Sequence, residues 1–132
     1  MRGKNGTKSK LLADMLREAS WQASHALALS EQGCDEEAEA AWLSAAQCEE
    51  RLACMLEAEG HETQAAVHYV SAASCYARVA DYPHAVAFLR GALSFGLRRA
   101  YRQEIERLLR SWLPKARKQL RDRAGKQLAG VS

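Results

Sequence analysis

The chain has 132 residues, of which 25 are alanine and two are proline, so helix is favoured over strand nearly throughout a single domain. No apolar run approaches the roughly 18 residues of a membrane span, and none follows the basic opening MRGKNGTKSK as it would in a secretory signal. The formal charge of +3 hides a division: residues 11–66 carry 12 acids and two bases (net −10), and residues 67–132 carry 13 bases and four acids (net +9).

Residues 1–8 read as an unstructured basic N-terminus, 9–113 as the helical domain and 114–132 as a basic helical tail. The first helix is expected from Ser9, a plausible N-cap, to Gln32. Leu12, Met15, Leu16, Ala19, Ala23, Ala26, Leu27 and Ser30 follow the three–four spacing of one buried stripe. Gly33 supplies its left-handed stop. The second helix opens on Asp35, Glu36 and Glu37, whose charge suits the exposed N–H groups of a first turn. Its apolar face is Ala38, Ala41, Trp42, Ala45, Leu52, Met55 and Leu56, and Gly60 ends it.

The third helix starts near Glu62 or Thr63, buries Ala65, Ala66, Tyr69, Ala72, Ala73, Tyr76 and Ala77, and ends near Ala80. Asp81 caps the fourth, with Pro83 in its first turn, where a missing donor costs nothing. Val86, Leu89, Ala92 and Leu93 face inward, and Gly96 is read as the stop. The fifth starts near Leu97 with a stripe of Tyr101, Ile105, Leu108, Leu109, Trp112 and Leu113. Pro114 should kink or break it, and the basic tail should fray past Gly125. Such short connections turn consecutive helices antiparallel.

Three turns repeat one pattern: GCDEEA from Gly33, GHETQA from Gly60 and ADYPHA from Ala80. In each, a small residue follows five positions after the turn, a bulky one four later and alanine three beyond that. Small positions admit a neighbouring helix and bulky ones fill the space beside it. At Tyr69, Ala73, Tyr76, Asp81, Tyr82, Ala85, Leu89, Ala92 and Leu93 the chain resembles the tetratricopeptide-repeat family, with a weaker match at Ala26, Leu29, Gly33, Ala38, Trp42 and Ala45. The matched units lie 47 residues apart rather than the roughly 34 of that family, so a regular superhelix is not expected. The fold expected is all-α: five antiparallel helices, tetratricopeptide-like, with a C-terminal capping helix.

The resemblance implies a non-catalytic protein–protein adaptor or scaffold in the cytoplasm, binding a protein or peptide in a groove lined by the third helix. The groove residues would be Val67, His68, Val70, Ser71, Ser74 and Arg78. The Lys/Asn/Arg set with which some family members hold a C-terminal carboxylate is missing.

Chemistry-bearing residues are sparse. The four cysteines have no Cys-x-x-Cys spacing and read mainly as reduced, buried small hydrophobes. Cys54, Glu57 and His61 sit at helical steps that could share an ion, but a histidine interacting with a helix terminus explains His61 as well. Cys75 beside a histidine could act as a nucleophile, yet its alanine-rich stripe favours an inert thiol. No phosphate-binding glycine loop, Gly-x-Ser-x-Gly or His-Glu-x-x-His occurs. Neither enzyme activity, metal nor cofactor is expected.

The alternative is an anion-binding module, for nucleic acid or acidic lipid, on the basic surface of Arg98, Arg99, Arg102, Arg110, Arg117, Lys118 and Arg121. Nucleic acid ranks lower, because Tyr101 and Trp112 lie on the buried stripe rather than between the bases. The same basic residues also read simply as a solvated outer face, and the divided charge suits a homo-oligomer in which the acidic half of one copy meets the basic half of another.

Overall fold

Long alanine-rich segments form helices here until a residue able to turn the chain interrupts them. The computed structural model describes residues 2–130. Its elements are α1 (Arg2–Glu31), α2 (Asp35–Ala58), α3 (Glu62–Arg78), α4 (Tyr82–Leu93) and α5 (Arg99–Gly130), with no strand among the described residues. The fold is all-α. Of the basic N-terminus 1–8, Met1 lies outside the described residues. The backbone is helical from Arg2, so Ser9 stands inside α1 and is not its cap.

The three repeated turns share one geometry. Gly33, Gly60 and Ala80 are left-handed, with φ of 78°, 82° and 57°. One residue later the N–H groups of Cys34, His61 and Asp81 donate back to the carbonyls of Leu29, Leu56 and Tyr76, each at 2.9 Å. This six-to-one bond satisfies a carbonyl left open at the helix end. Those same residues then begin the next helix, their carbonyls accepting from Ala38, Ala65 and Ala85. These three alanines are buried, which is why the repeat keeps a small side chain five positions after the turn.

Each helix packs mainly against its neighbours in sequence, α1 on α2, α2 on α3, α3 on α4 and α4 on α5. The core runs through all five, from Ala26 through Trp42, Ala45, Ala66, Ala73 and Leu89 to Ile105. A smaller cluster of Ala19, Cys48 and Leu52, flanked by Leu12 and Met15, joins α1 to α2. Between α3 and α4 the Tyr76 ring stacks on Phe88 at 5.5 Å, and Tyr69 lies tilted against Phe88 and Phe95. Gly91 allows close approach there: a Cβ on it would stand a tight 3.2 Å from the Tyr69 ring. These contacts fix the rotation of α3 and therefore the face it leaves open.

Two helix ends differ from the sequence reading. α4 stops at Leu93 with a right-handed Ser94, and Gly96 has no left-handed conformation, so it is not the stop. The Arg102 guanidinium reaches back from α5 and donates to the carbonyls of Leu93 (3.2 Å) and Phe95 (2.9 Å), replacing the glycine device. Pro114 neither ends nor interrupts α5. Proline removes one backbone donor, but contacts on both sides of it hold the helix. Trp112 packs on Tyr82, Lys115 lies 5.0 Å over the same ring, and Ala116 is buried. Gln119 accepts from the Tyr82 N–H at 3.1 Å and donates to the Ala80 carbonyl, tying α5 to the α3–α4 turn. The helix continues through Gly125 to Gly130.

Candidate docking groove and basic face

The open face of α3 carries Val67, Ser71, Ser74 and Arg78, spaced four, three and four residues apart along one line. Val67, Ser74 and Arg78 are exposed and Ser71 is half-buried. Arg78 is held in place, its guanidinium 4.9 Å over the Trp42 ring of α2. His68 turns toward α2, where its Nδ1 lies 2.6 Å from the Glu49 carboxylate in a largely covered pair. Val70 packs against the core instead of facing outward, because its position matches Ala66, Ala73 and Ala77 on the buried side of α3.

Val67 stands between two adjoining clefts. A cleft of about 360 Å³ lies between it and α1, lined by Leu12, Leu16, Leu56, Gln64 and His68. A second, of about 390 Å³, continues past Val67 to Thr63, Leu97, Arg98 and Tyr101. A third, of about 290 Å³, opens from Leu12, Leu56 and Gln64 toward Met55, with Lys8 and Glu59 paired at 3.7 Å on its edge. The α1 wall is not expected from periodicity, which puts Leu16, Leu27 and Ser30 on a buried stripe; the two leucines are 40% and 43% exposed and Ser30 is exposed too. Among the described residues α1 packs mainly on α2. The available signal was a stripe with more apolar residues than one neighbour can cover.

The titratable groups beneath this face are protected. Burial, then the Glu57 carboxylate that accepts the Tyr69 hydroxyl at 3.2 Å, pushes Tyr69 up to about 12. Burial, then Glu49, pushes the Cys75 thiol up to about 11, the opposite of what a nucleophile needs. Tyr76 and Tyr101 are raised by burial first as well. Of the other cysteines Cys48 is buried, Cys34 half-buried and Cys54 exposed, so the reading of cysteine as core residue fails for Cys54. Cys54, Glu57 and His61 do not converge, and among the described residues no three acidic, histidine or cysteine side chains stand close enough to hold an ion. His84 donates its backbone N–H to the Asp81 cap, and its ring lies 2.7 Å from Asp81 and 4.9 Å from the Tyr76 ring.

The basic residues of α5 divide by role. Arg99, Arg110, Arg117 and Arg121 are exposed, share an outward line at steps of eleven, seven and four, and make no ion pair among the described residues. Lys118 pairs with Asp122 at 3.6 Å on that side. Arg98 lines the Tyr101 end of the groove. Arg102 does not belong to the basic surface, because its guanidinium is committed to the carbonyls at the end of α4.

No helix among the described residues is long and apolar enough to cross a membrane. The chain matches no protein-family profile, no curated protein and no solved structure.

Proposed function

We propose that the chain is a non-catalytic protein-interaction module, an adaptor or scaffold built from tetratricopeptide-like hairpins, that works in the cytoplasm. The observation that carries this reading is the pair of adjoining, largely apolar clefts that share Val67 and together touch α1, α3 and the start of α5. Two open clefts side by side suit a segment of a partner chain better than an enclosed small molecule, and the groups near them are hydrogen-bonded or protonated rather than reactive. Antiparallel packing of α2 on α3 is supported by the pairs Trp42–Arg78 and Glu49–His68, in which one residue number falls as the other rises.

The test is site-specific photo-crosslinking in native lysate. A benzophenone side chain at Val67 should capture a discrete protein partner, and the same group at the exposed Ala87 of α4 should not. Val67→Glu with Leu16→Ser should abolish the capture while leaving the melting temperature in place. Equal capture at both positions, or none at Val67, would refute the groove as the working surface.

The exposed arginine line of α5 favours a second reading, binding of nucleic acid or anionic lipid. That reading requires affinity to fall steeply with salt and to vanish in an Arg117→Glu, Arg121→Glu variant. Removing everything after Leu113 would be a poor test, because it also removes Ala116 and Gln119 from the folded body.

A further inference from the structure

The two ends of the helix stack complement each other. Residues 18–50 hold eight acids and no lysine or arginine, and residues 107–126 hold eight bases and one acid. Both stretches also carry exposed apolar surface, Trp21 being covered in part by the stacked ring of His25 at 4.8 Å. On α1, Leu27 (43% exposed) and Trp21 (58%) border a path of Ser20, Ser24 and Ala28, all exposed. On α5, Gln119 ties the helix to the α3–α4 turn, and from Leu120 onward every described residue is exposed. The projecting part, residues 120–130, extends the helix by about 16 Å at 1.5 Å per residue. Leu120, Ala124 and Leu128 recur every four residues and so share one side of it, with Arg117 and Arg121 alongside. A short helical projection of this kind is marginal in water on its own.

We propose that the projecting end of α5 from one copy of this chain docks on the outer face of α1 in a second copy. The Leu120–Leu128 side lies over the path between Leu27 and Trp21. Arg117 and Arg121 meet the acids that surround the α1–α2 turn, Glu31 and Asp35 to Glu39. Leucine contact supplies the part of the attraction that salt leaves alone, and opposite charge supplies the orientation and the encounter rate. The surface involved is distinct from the depression at Val67, so association between copies leaves that groove open.

The experiment is sedimentation velocity of the full chain over a concentration series at low and high salt. Wild type should gain mass with concentration at low salt and weaken as salt screens the charges. Arg117→Glu with Arg121→Glu, and separately Glu36→Lys with Glu37→Lys, should each raise the dissociation constant about tenfold, two exposed charges being reversed in each. Mixing the two variants should restore association, because each then offers the end that the other lacks. Leu120→Ser with Leu128→Ser should weaken association at both salt concentrations. Circular dichroism should show all variants folded, since the substituted residues are exposed. A wild type that stays monomeric at every concentration overturns the proposal, as does a mixture that fails to associate. A monomer that instead binds anionic vesicles or duplex DNA through the same arginines also overturns it and assigns the end of α5 to that ligand.

Discussion

The left-handed residue of each turn can be exchanged in both directions. At Gly33 and Gly60 an added Cβ meets nothing within 4 Å, so Gly33→Ala and Gly60→Ala introduce no clash. Their cost is conformational alone: about 1–2 kcal/mol for holding a non-glycine residue left-handed, offset by about 0.4–1 kcal/mol because alanine restricts the unfolded chain. The net loss is about 0.5–1 kcal/mol at each site, or a fall in melting temperature of about 2–4 °C for a domain of this size. Ala80 already occupies that conformation at φ 57°. Ala80→Gly should therefore gain a similar amount, and the Ala80 carbonyl that accepts from Gln119 is unchanged by the substitution. Thermal and urea unfolding followed by circular dichroism measure all three variants. A lower melting temperature for Ala80→Gly, or no change in either glycine variant, would refute the claim that these turns are one device.

Replacing Ala73, fully buried between helices, with leucine should overfill the contact and cost about 1–3 kcal/mol in urea unfolding. Gln119→Ala breaks both bonds to the α3–α4 turn and should cost about 1–3 kcal/mol, with faster amide exchange after Pro114 as its local signature. In the native state Cys54 should react promptly with a thiol reagent, while Cys75 lags until the chain unfolds. Stability should also decline with alkali: the unfolded chain releases the Cys75 proton near 9.0 and the folded one holds it to about 11, so the contribution is whole below 9.0 and lost as pH rises through that window. A urea midpoint that holds constant across the window would refute the burial of Cys75.

Much of the fold is legible from short-range signals. Gly33 and Gly60 announce their turns, Asp81 and Pro83 announce the start of α4, and the buried alanines at 38, 65 and 85 mark the repeat. What escaped the reading depends on residues distant in sequence. Pro114 looks like a helix end because the Gln119 bridge to Ala80 and Tyr82 spans almost forty residues. Gly96 looks like a stop because nothing local shows Arg102 capping α4. Phe95 lies outside every helical stripe and is nonetheless buried. For the groove, α3 supplied the legible part. Its α1 wall was hidden because periodicity gives the direction of an apolar stripe and not how much of it a neighbour covers.

That last distinction bears on function. A closed bundle gives every helix two neighbours, but here each described helix contacts chiefly the next, so among the described residues α1 and α5 are covered mainly on one side. This chain treats its ends differently. α1 leaves leucine and tryptophan in the open beside acidic residues, and α5 runs on past its last support with leucine among arginines. Repeat arrays commonly close their ends with polar caps, and neither end here has an apolar-free surface. The middle of the array needs α3 fixed by Tyr69, Tyr76, Phe88 and Phe95 to keep Val67 outward. Aromatic packing is thus concentrated at the centre, beneath Val67, and exposed apolar surface at α1 and the end of α5.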